Sequence, residues 1–353
     1  MMRLAKKLGL ALAATVVCLV LLEGGARLVK GKPLFYWRNF VETRIDVIRS
    51  VYPIRYDSML GWAPKPGDYT DSNYWGKTLT ILEEGVRSNG RVSPAPSAPV
   101  ILAVGDSFTF GSQVADEETW PAALQGLSGR RVINGGVFAY GLDQTVLRAE
   151  ALVEIFAPDL LVVAFIPDDV HRTERSVRTG AAKPYFEIAD GGLVLRNVPV
   201  PRHEPSVGAI GAVRRVFGYS YLVDGVMRRL GLDEWWYLGE WDNVREHDDG
   251  EAVAALLMER LAALGAARGI PVVVLAQYTT ELYEERPRQS GVVIAAAREN
   301  GLPVVDLYAA TRALAEQDPE RFRSLYHGHM TAKGNRFVAE ALHRFLNQNG
   351  LLP

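Results

Sequence analysis

The sequence predicts an α/β domain built on a mostly parallel sheet covered on both faces. Five short, β-rich apolar runs lie beyond residue 99, and helix-compatible stretches separate several of them. Strands buried on both faces read as continuous apolar runs rather than alternating ones, and each of the five has that form.

In chain order, "VILAVG" from Val100 is the first strand and "EETWPAALQGL" the first helix. "RRVINGGV" is the second strand. In the next helix, "DQTVLRAEALVEIF", residues Val146, Leu147, Leu152, Val153 and Phe156 recur at spacings that give one buried face, and Pro158 stops it. Asp159 turns the chain into the third strand, "DLLVVAFIP", which leaves "IPDD" beyond a strand end. "EAVAALLMERLAALGAARG" is the next helix, "IPVVVLAQY" the fourth strand and "LPVVDLY" the fifth. A last helix carries Phe337, Val338, Ala341, Leu342 and Phe345. Active sites of such sheets gather beyond the C-terminal ends of the strands.

The flanking segments are less regular. Arg3, Lys6 and Lys7 precede "LGLALAATVVCLVLL", fifteen residues without a charge. This is the pattern of a secretory signal or a single membrane anchor. No small-x-small cleavage pattern follows it, so residues 1–30 are expected to be an uncleaved anchor, with the rest of the chain outside the cytoplasm by the positive-inside rule. Residues 31–98 mix aromatics with Pro and Gly and are expected to be an irregular approach segment and linker. Residues 99–350 form the main domain, within which 171–250 break the strand–helix rhythm. That stretch is expected to be an insertion or lid at the active face, with Trp235, Trp236, Tyr237 and Trp241 as its packing core or as substrate contacts.

Charge and cysteine content narrow the function. Lys plus Arg number 39 against 41 Asp plus Glu, which removes the main argument for a nucleic-acid partner. Cys18 is the single cysteine and lies inside the apolar run, so neither an intrachain disulfide nor a cysteine zinc site can form.

The chemistry centres on Gly105-Asp106-Ser107, where the first strand must end. Glycine permits a tight turn there, and a serine in that place exposes its hydroxyl as a nucleophile or caps the helix that follows. Near the other end of the chain, "YHGHMTAKGN" supplies His327 and His329 just before a helix. A serine early in the sheet and a histidine late in it can meet above the same strand ends, with His329 taking the Ser107 proton and returning it to the leaving group.

With "DSMLGWAPKPG", "ILAVGDSFTFGSQVADEETWPAAL", "VINGGVFAYGLDQTVLRAE", "APDLLVVAFIPDDV" and "HMTAKGNRFVAEAL" in that order, the chain resembles the SGNH or GDSL hydrolase superfamily, specifically its membrane-anchored bacterial members. The resemblance spans most of residues 50–350. It implies a flavodoxin-like three-layer α/β/α sandwich, hydrolysis or transfer of acyl groups, Ser107 as nucleophile and His329 as catalytic histidine.

The remaining family positions depart from the pattern. Ala139 stands where the resemblance implies an oxyanion glycine; the family uses the backbone N–H there, which alanine retains if it adopts the same backbone angles, and Gly136 or Gly141 can shape the turn instead. Asp168 stands in place of an asparagine whose side chain donates to the oxyanion. An ionised aspartate only accepts, so Asp168 serves there if burial beside Asp169 keeps it protonated, or its role passes to another residue. Tyr326 stands where the acid of the triad is expected three residues before His329. Asp306, a backbone carbonyl or a residue near Asp168 are the candidates to orient the imidazole in its stead.

The expected function is serine-dependent hydrolysis of ester-linked acyl groups on an envelope polysaccharide, glycolipid or related substrate, with no cofactor and no metal. Acyl transfer to a glycan is the chemical variant, and a non-catalytic envelope glycan-binding or assembly protein is the alternative from a different class. The expected partners are the acylated glycan or lipid-like substrate, the membrane and an envelope assembly partner. The expected address is a bacterial inner membrane, with the main domain periplasmic or extracellular.

Overall fold

The computed structural model describes residues 2–35, 37–45, 47–70, 75–90, 94–202, 208–245, 249–280 and 287–353. The chain divides into two compact units, one of Met1–Ser50, Thr179–Ala181 and His203–Asn243, the other of Val51–Arg178, Ala182–Arg202 and Val244–Pro353.

The larger unit holds a five-stranded parallel sheet. In chain order its elements are β1 (Val100–Val104), the short helix α1 (Ser107–Phe110), α2 (Trp120–Ser128), β2 (Arg131–Asn134), α3 (Leu142–Phe156), β3 (Leu160–Phe165), the short helix α4 (Pro167–His171), α5 (Gly250–Arg268), β4 (Val272–Ala276), α6 (Arg288–Glu299), β5 (Val304–Asp306) and, at the C-terminal end, α7 (Ala332–Gln348). The strand order is β5-β4-β3-β1-β2, every neighbour parallel. This is the flavodoxin-like order, 2-1-3-4-5.

Right-handed crossovers put α2, which leads from β1 to β2, on one face and α3, α5 and α6, which lead the other way, on the opposite face. The packing agrees: α2 lies against α7, and α5 against α3 and α6. The sheet is accordingly three layers deep. Residues Leu160–Phe165 of β3 and Val272–Ala276 of β4 are buried throughout, as two-sided burial requires.

Local chemistry sets the element ends. Thr119 caps α2 by accepting from the Ala122 N–H at 3.2 Å, with Pro121 in the first turn. Helix α3 ends at Phe156, two residues before Pro158, as expected from the fixed proline ring.

The boundary at residue 98 needs correction. Residues 51–98 belong to the unit that carries the sheet, because Trp62, Leu79, Ile81 and Val86 are buried and Arg87 forms a buried ion pair with Asp116 at 2.9 Å. The 171–250 insertion is not one piece either. Residues 182–202 stay with the sheet unit, while 203–243 cluster with the N-terminal segment.

In the smaller unit the N-terminal helix Met2–Val29 is long and apolar enough to cross a bilayer, and its apolar window is exposed throughout, Cys18 included. Val41, Ile45 and Trp236 form the unit's core, so Trp236 is packing rather than a substrate contact.

Candidate active site

The strand order reverses between β1 and β3, and a crevice opens where their C-terminal ends diverge. Ser107 and Asp168 follow those two strands directly. Two glycines let the chain pack there: a Cβ on Gly105 would lie 2.2 Å from Thr109 Oγ1, and one on Gly136 would lie 2.3 Å from the Phe110 amide nitrogen.

Ser107 is the first residue of α1, and the cap is its neighbour: Asp106 Oδ1 accepts from the Phe108 N–H at 2.9 Å. The serine hydroxyl is thus free for other partners. His329 Nε2 lies 3.0 Å from Ser107 Oγ, and Asp106 Oδ2 lies 3.3 Å from it.

His329 is delivered by a tight hairpin, β6 (Tyr326–His327) and β7 (His329–Met330), in which His327 faces His329 across Gly328. Gln113 Oε1 accepts from the His329 N–H at 3.0 Å, and the Phe108 ring lies against the imidazole with centroids 5.4 Å apart. Behind the hairpin, buried Asn335 donates to the carbonyls of Met330 and Thr331 and accepts from the Trp120 N–H at 2.8 Å, which fastens the loop to α2. His327 is exposed and takes no part in the pair. Among the described residues no three His, Cys, Asp or Glu side chains converge as a metal cluster.

Burial lowers the His329 pKa below its ordinary value, more than neighbouring Asp106 raises it. The imidazole is therefore neutral at neutral pH, the form a general base requires. Its Nδ1 atom is buried and has no hydrogen-bond partner among the described residues. For Nε2 to accept the serine proton, Nδ1 must carry the ring's own proton, and an unpaired buried N–H costs about 1–3 kcal/mol.

Neither Asp306 nor Tyr326, the residue at the triad acid's position, fills that gap. Asp306 Oδ1 instead accepts from the Tyr278 hydroxyl at 2.8 Å and the Tyr308 N–H at 3.0 Å, so it caps the turn beyond β5. Tyr326 donates its hydroxyl to the Tyr278 carbonyl at 3.1 Å. These contacts hold the wall of the loop and do not orient the imidazole.

Asp168 also departs from expectation. Its half-exposed carboxylate takes Nε of Arg172 at 2.8 Å and Nη2 at 2.7 Å, with Arg178 at 3.7 Å. Burial works to raise its pKa, but Arg172 and Arg178 prevail and hold it below the ordinary carboxylate range. Asp169 is the one pushed up, by complete burial and by Asp106 nearby. Asp168 therefore has no proton to donate to an oxyanion.

Arg172 ties the crevice together. Besides Asp168 it reaches Asp169 at 2.7 Å, the Tyr140 carbonyl at 2.9 Å and Asp106 at 3.3 Å. Its spacing of four from Asp168 on one helical turn is the sequence signal that finds it. Gln113, which holds the hairpin at a positive φ of 73°, has no such signal.

Ala139 adopts the left-handed conformation, φ 63°, as its place in the glycine block demands. Among the described residues neither its N–H nor that of Ser107 has a hydrogen-bond partner. The turn is buttressed from the supposed approach segment: Trp62 Nε1 donates to the Phe138 carbonyl at 3.1 Å, Tyr140 donates to the Trp62 carbonyl at 2.6 Å, and Tyr52 stacks on Phe138.

A cavity of about 840 Å³ opens over the pair. Asp168, Arg172, Thr279, Thr280 and Gln289 line it beside Ser107 and His329, a wall rich in hydrogen-bonding groups.

The fold is a doubly wound α/β/α sandwich that carries a serine–histidine pair where its strand order reverses. No family model and no curated protein matches the chain. Among solved structures it is similar to a protein of the G-D-S-L family from Desulfitobacterium hafniense DCB-2, at 14% identity over 69% of this chain and 98% of that one, TM-score 0.36. It is also similar to an alpha/beta hydrolase enzyme from the metagenome of Lake Arreo, Spain, at 16% identity over 73% and 98%, TM-score 0.40. A variant of an acetyl xylan esterase from Geobacillus stearothermophilus matches at 16% identity over 74% and 98%, TM-score 0.41.

Proposed function

We propose that the chain is a serine-dependent acyl-ester hydrolase that works with a Ser107–His329 dyad. The observation that carries this reading is the 3.0 Å separation of Ser107 Oγ and Nε2 of a neutral, half-buried His329 at the switch point of the sheet.

In the reaction Ser107 Oγ bonds to the ester carbonyl carbon while its proton passes to His329 Nε2. The carbonyl π electrons move to oxygen, and the resulting oxyanion accepts from the N–H groups of Ser107 and Ala139. Collapse breaks the bond to the leaving alkoxide, which takes the proton from His329 and departs as an alcohol. Water then attacks the acyl-serine with His329 again as base, releasing the carboxylic acid and restoring Ser107.

The substrate we propose is an acylated polysaccharide or glycolipid of the cell envelope. A wide cavity walled by threonines, Gln289 and charged side chains suits a polyhydroxylated molecule better than a bare acyl chain. The N-terminal helix, with Arg3, Lys6 and Lys7 before its apolar run, supports an anchored protein whose catalytic unit lies on the far side of the membrane from those charges. Acyl transfer to a glycan follows the same steps with a sugar hydroxyl in place of water.

Two observations favour a second reading, a glycan-binding or assembly protein without turnover: His329 Nδ1 has no acid partner among the described residues, and Asp168 is anionic. A serine-directed phosphonate separates the two. Labelling of Ser107 that vanishes in Ser107→Ala and in His329→Ala supports the hydrolase; a folded protein that stays unlabelled across pH supports the binding role.

A further inference from the structure

We propose that the smaller unit presents a phospholipid-binding face, formed by the helix Tyr221–Arg229 with the segment after the N-terminal helix, that seats it in the head-group layer of the bilayer. The inference rests on the membrane-anchor reading above and adds a second, peripheral contact to it.

Glu23 fixes the level. The charge-free run Leu8–Leu22 ends at this residue; at about 1.5 Å per residue it is shorter than a hydrocarbon core of about 30 Å, so the bilayer thins to the run and Glu23 marks where the anchor meets the head groups. Its carboxylate also holds the start of the Tyr221–Arg229 helix: it accepts from the N–H groups of Tyr221 at 3.1 Å and Leu222 at 3.0 Å, and from the Ser220 hydroxyl at 2.8 Å. Arg27, one turn on, binds Glu23 at 2.7 Å and the Tyr219 carbonyl at 2.8 Å. The helix therefore starts at the depth where the anchor leaves the hydrocarbon.

Its two faces differ. Asp224 points inward, paired with Lys30, Arg44 and Arg228 and accepting from Trp236 Nε1. Opposite it, at helical spacing, lie Leu222, Val226, Arg229 and Leu230, with Leu230 67% exposed. Beyond the anchor helix, Phe35 and Trp37 are 83% and 81% exposed, and aromatic side chains of that kind favour the head-group level. Lys32, Arg215 and Arg229 have no carboxylate partner among the described residues, which leaves them to lipid phosphates. Outward apolar residues with cations beside them are the chemistry of an interfacial helix.

The test uses the full chain with Cys18→Ser, reconstituted in vesicles of phosphatidylethanolamine with one third phosphatidylglycerol. A nitroxide is placed by Leu12→Cys, Leu230→Cys or Glu299→Cys. Leu12 reports the anchor, and exposed Glu299 in the sheet unit is the aqueous reference. The expected result is a shift at Leu230 away from relaxation by a water-soluble nickel chelate and toward relaxation by oxygen, relative to Glu299. A label at Leu230 that matches Glu299 while Leu12 reports lipid overturns the proposal and leaves the anchor standing. A label at Leu230 shielded from both relaxants means a protein covers the face and equally overturns it. Water exposure at Leu12 removes the anchor reading and the proposal with it.

Discussion

Ser107 Oγ and His329 Nε2 stand 3.0 Å apart although 222 residues separate them in the chain. Each is held by something other than its partner. Asp106 takes over the capping of α1, and Gln113 pins the hairpin that carries the imidazole. Removing the base is therefore expected to leave the serine in place. His329→Ala is predicted to lower kcat on a small acetyl ester by roughly 10²–10⁴-fold, with the thermal unfolding midpoint as a check on folding.

The pH profile follows from burial. On the proposed mechanism neutral His329 is the active form, and its pKa lies below the ordinary 6.5. As pH falls, kcat/KM is predicted to hold until the lowered pKa is reached, so the acid limb has its midpoint below 6.5. A midpoint above that value would mean a different base.

Asp168→Asn exchanges an anion in the cavity that Ser107 also lines for a donor amide. If the new amide reaches the oxyanion, kcat rises by roughly tenfold or more. The cost in stability is about 1 kcal/mol or less, because the Asp168 carboxylate is half-exposed and its ion pairs are solvent-screened. Steady-state kinetics beside a urea titration read both quantities.

Arg172→Met is predicted to weaken folding in the same direction and by more. Asp106 and Asp169 are both buried and would lose their shared guanidinium, a loss of about 3–5 kcal/mol measurable by urea unfolding.

Ala139→Gly relieves a left-handed backbone that carries a Cβ. The strain relieved is about 1–2 kcal/mol and the added freedom of the unfolded chain offsets part of it, so a net stabilisation of about 1 kcal/mol is predicted. Equal urea midpoints for the two proteins would show that the turn bears no strain.

The strands and long helices of the sheet unit were legible because two-sided burial writes itself as apolar runs and helical periodicity marks their covers. Ser107 and His329 were legible because each sits beside short residues that only a particular turn requires. Asp306 misled because a strand-end aspartate looks the same whether it caps a loop or supports a base; the Tyr278 hydroxyl decides the matter and lies 28 residues away. Asp168 misled because its charge state is set by Arg172 and Arg178; the four-residue spacing announces the first, and nothing beside Asp168 announces the second. Residues 51–98 have no periodicity, so the Trp62 and Tyr52 supports of the Ala139 turn could not be read from them. The union of 203–243 with the N-terminal helix rests on Glu23 and Arg27 reaching across nearly two hundred residues.

The hairpin that brings His329 also sets when the proposed dyad can first form. Ser107 is made 222 residues before His329, which is pinned by Gln113 and Asn335 only once α2 and α7 have packed. On the proposed mechanism a nascent chain has a serine and no base to deprotonate it. Chain order alone then withholds reactivity during synthesis, and a product that stops before the hairpin would carry an inert hydroxyl.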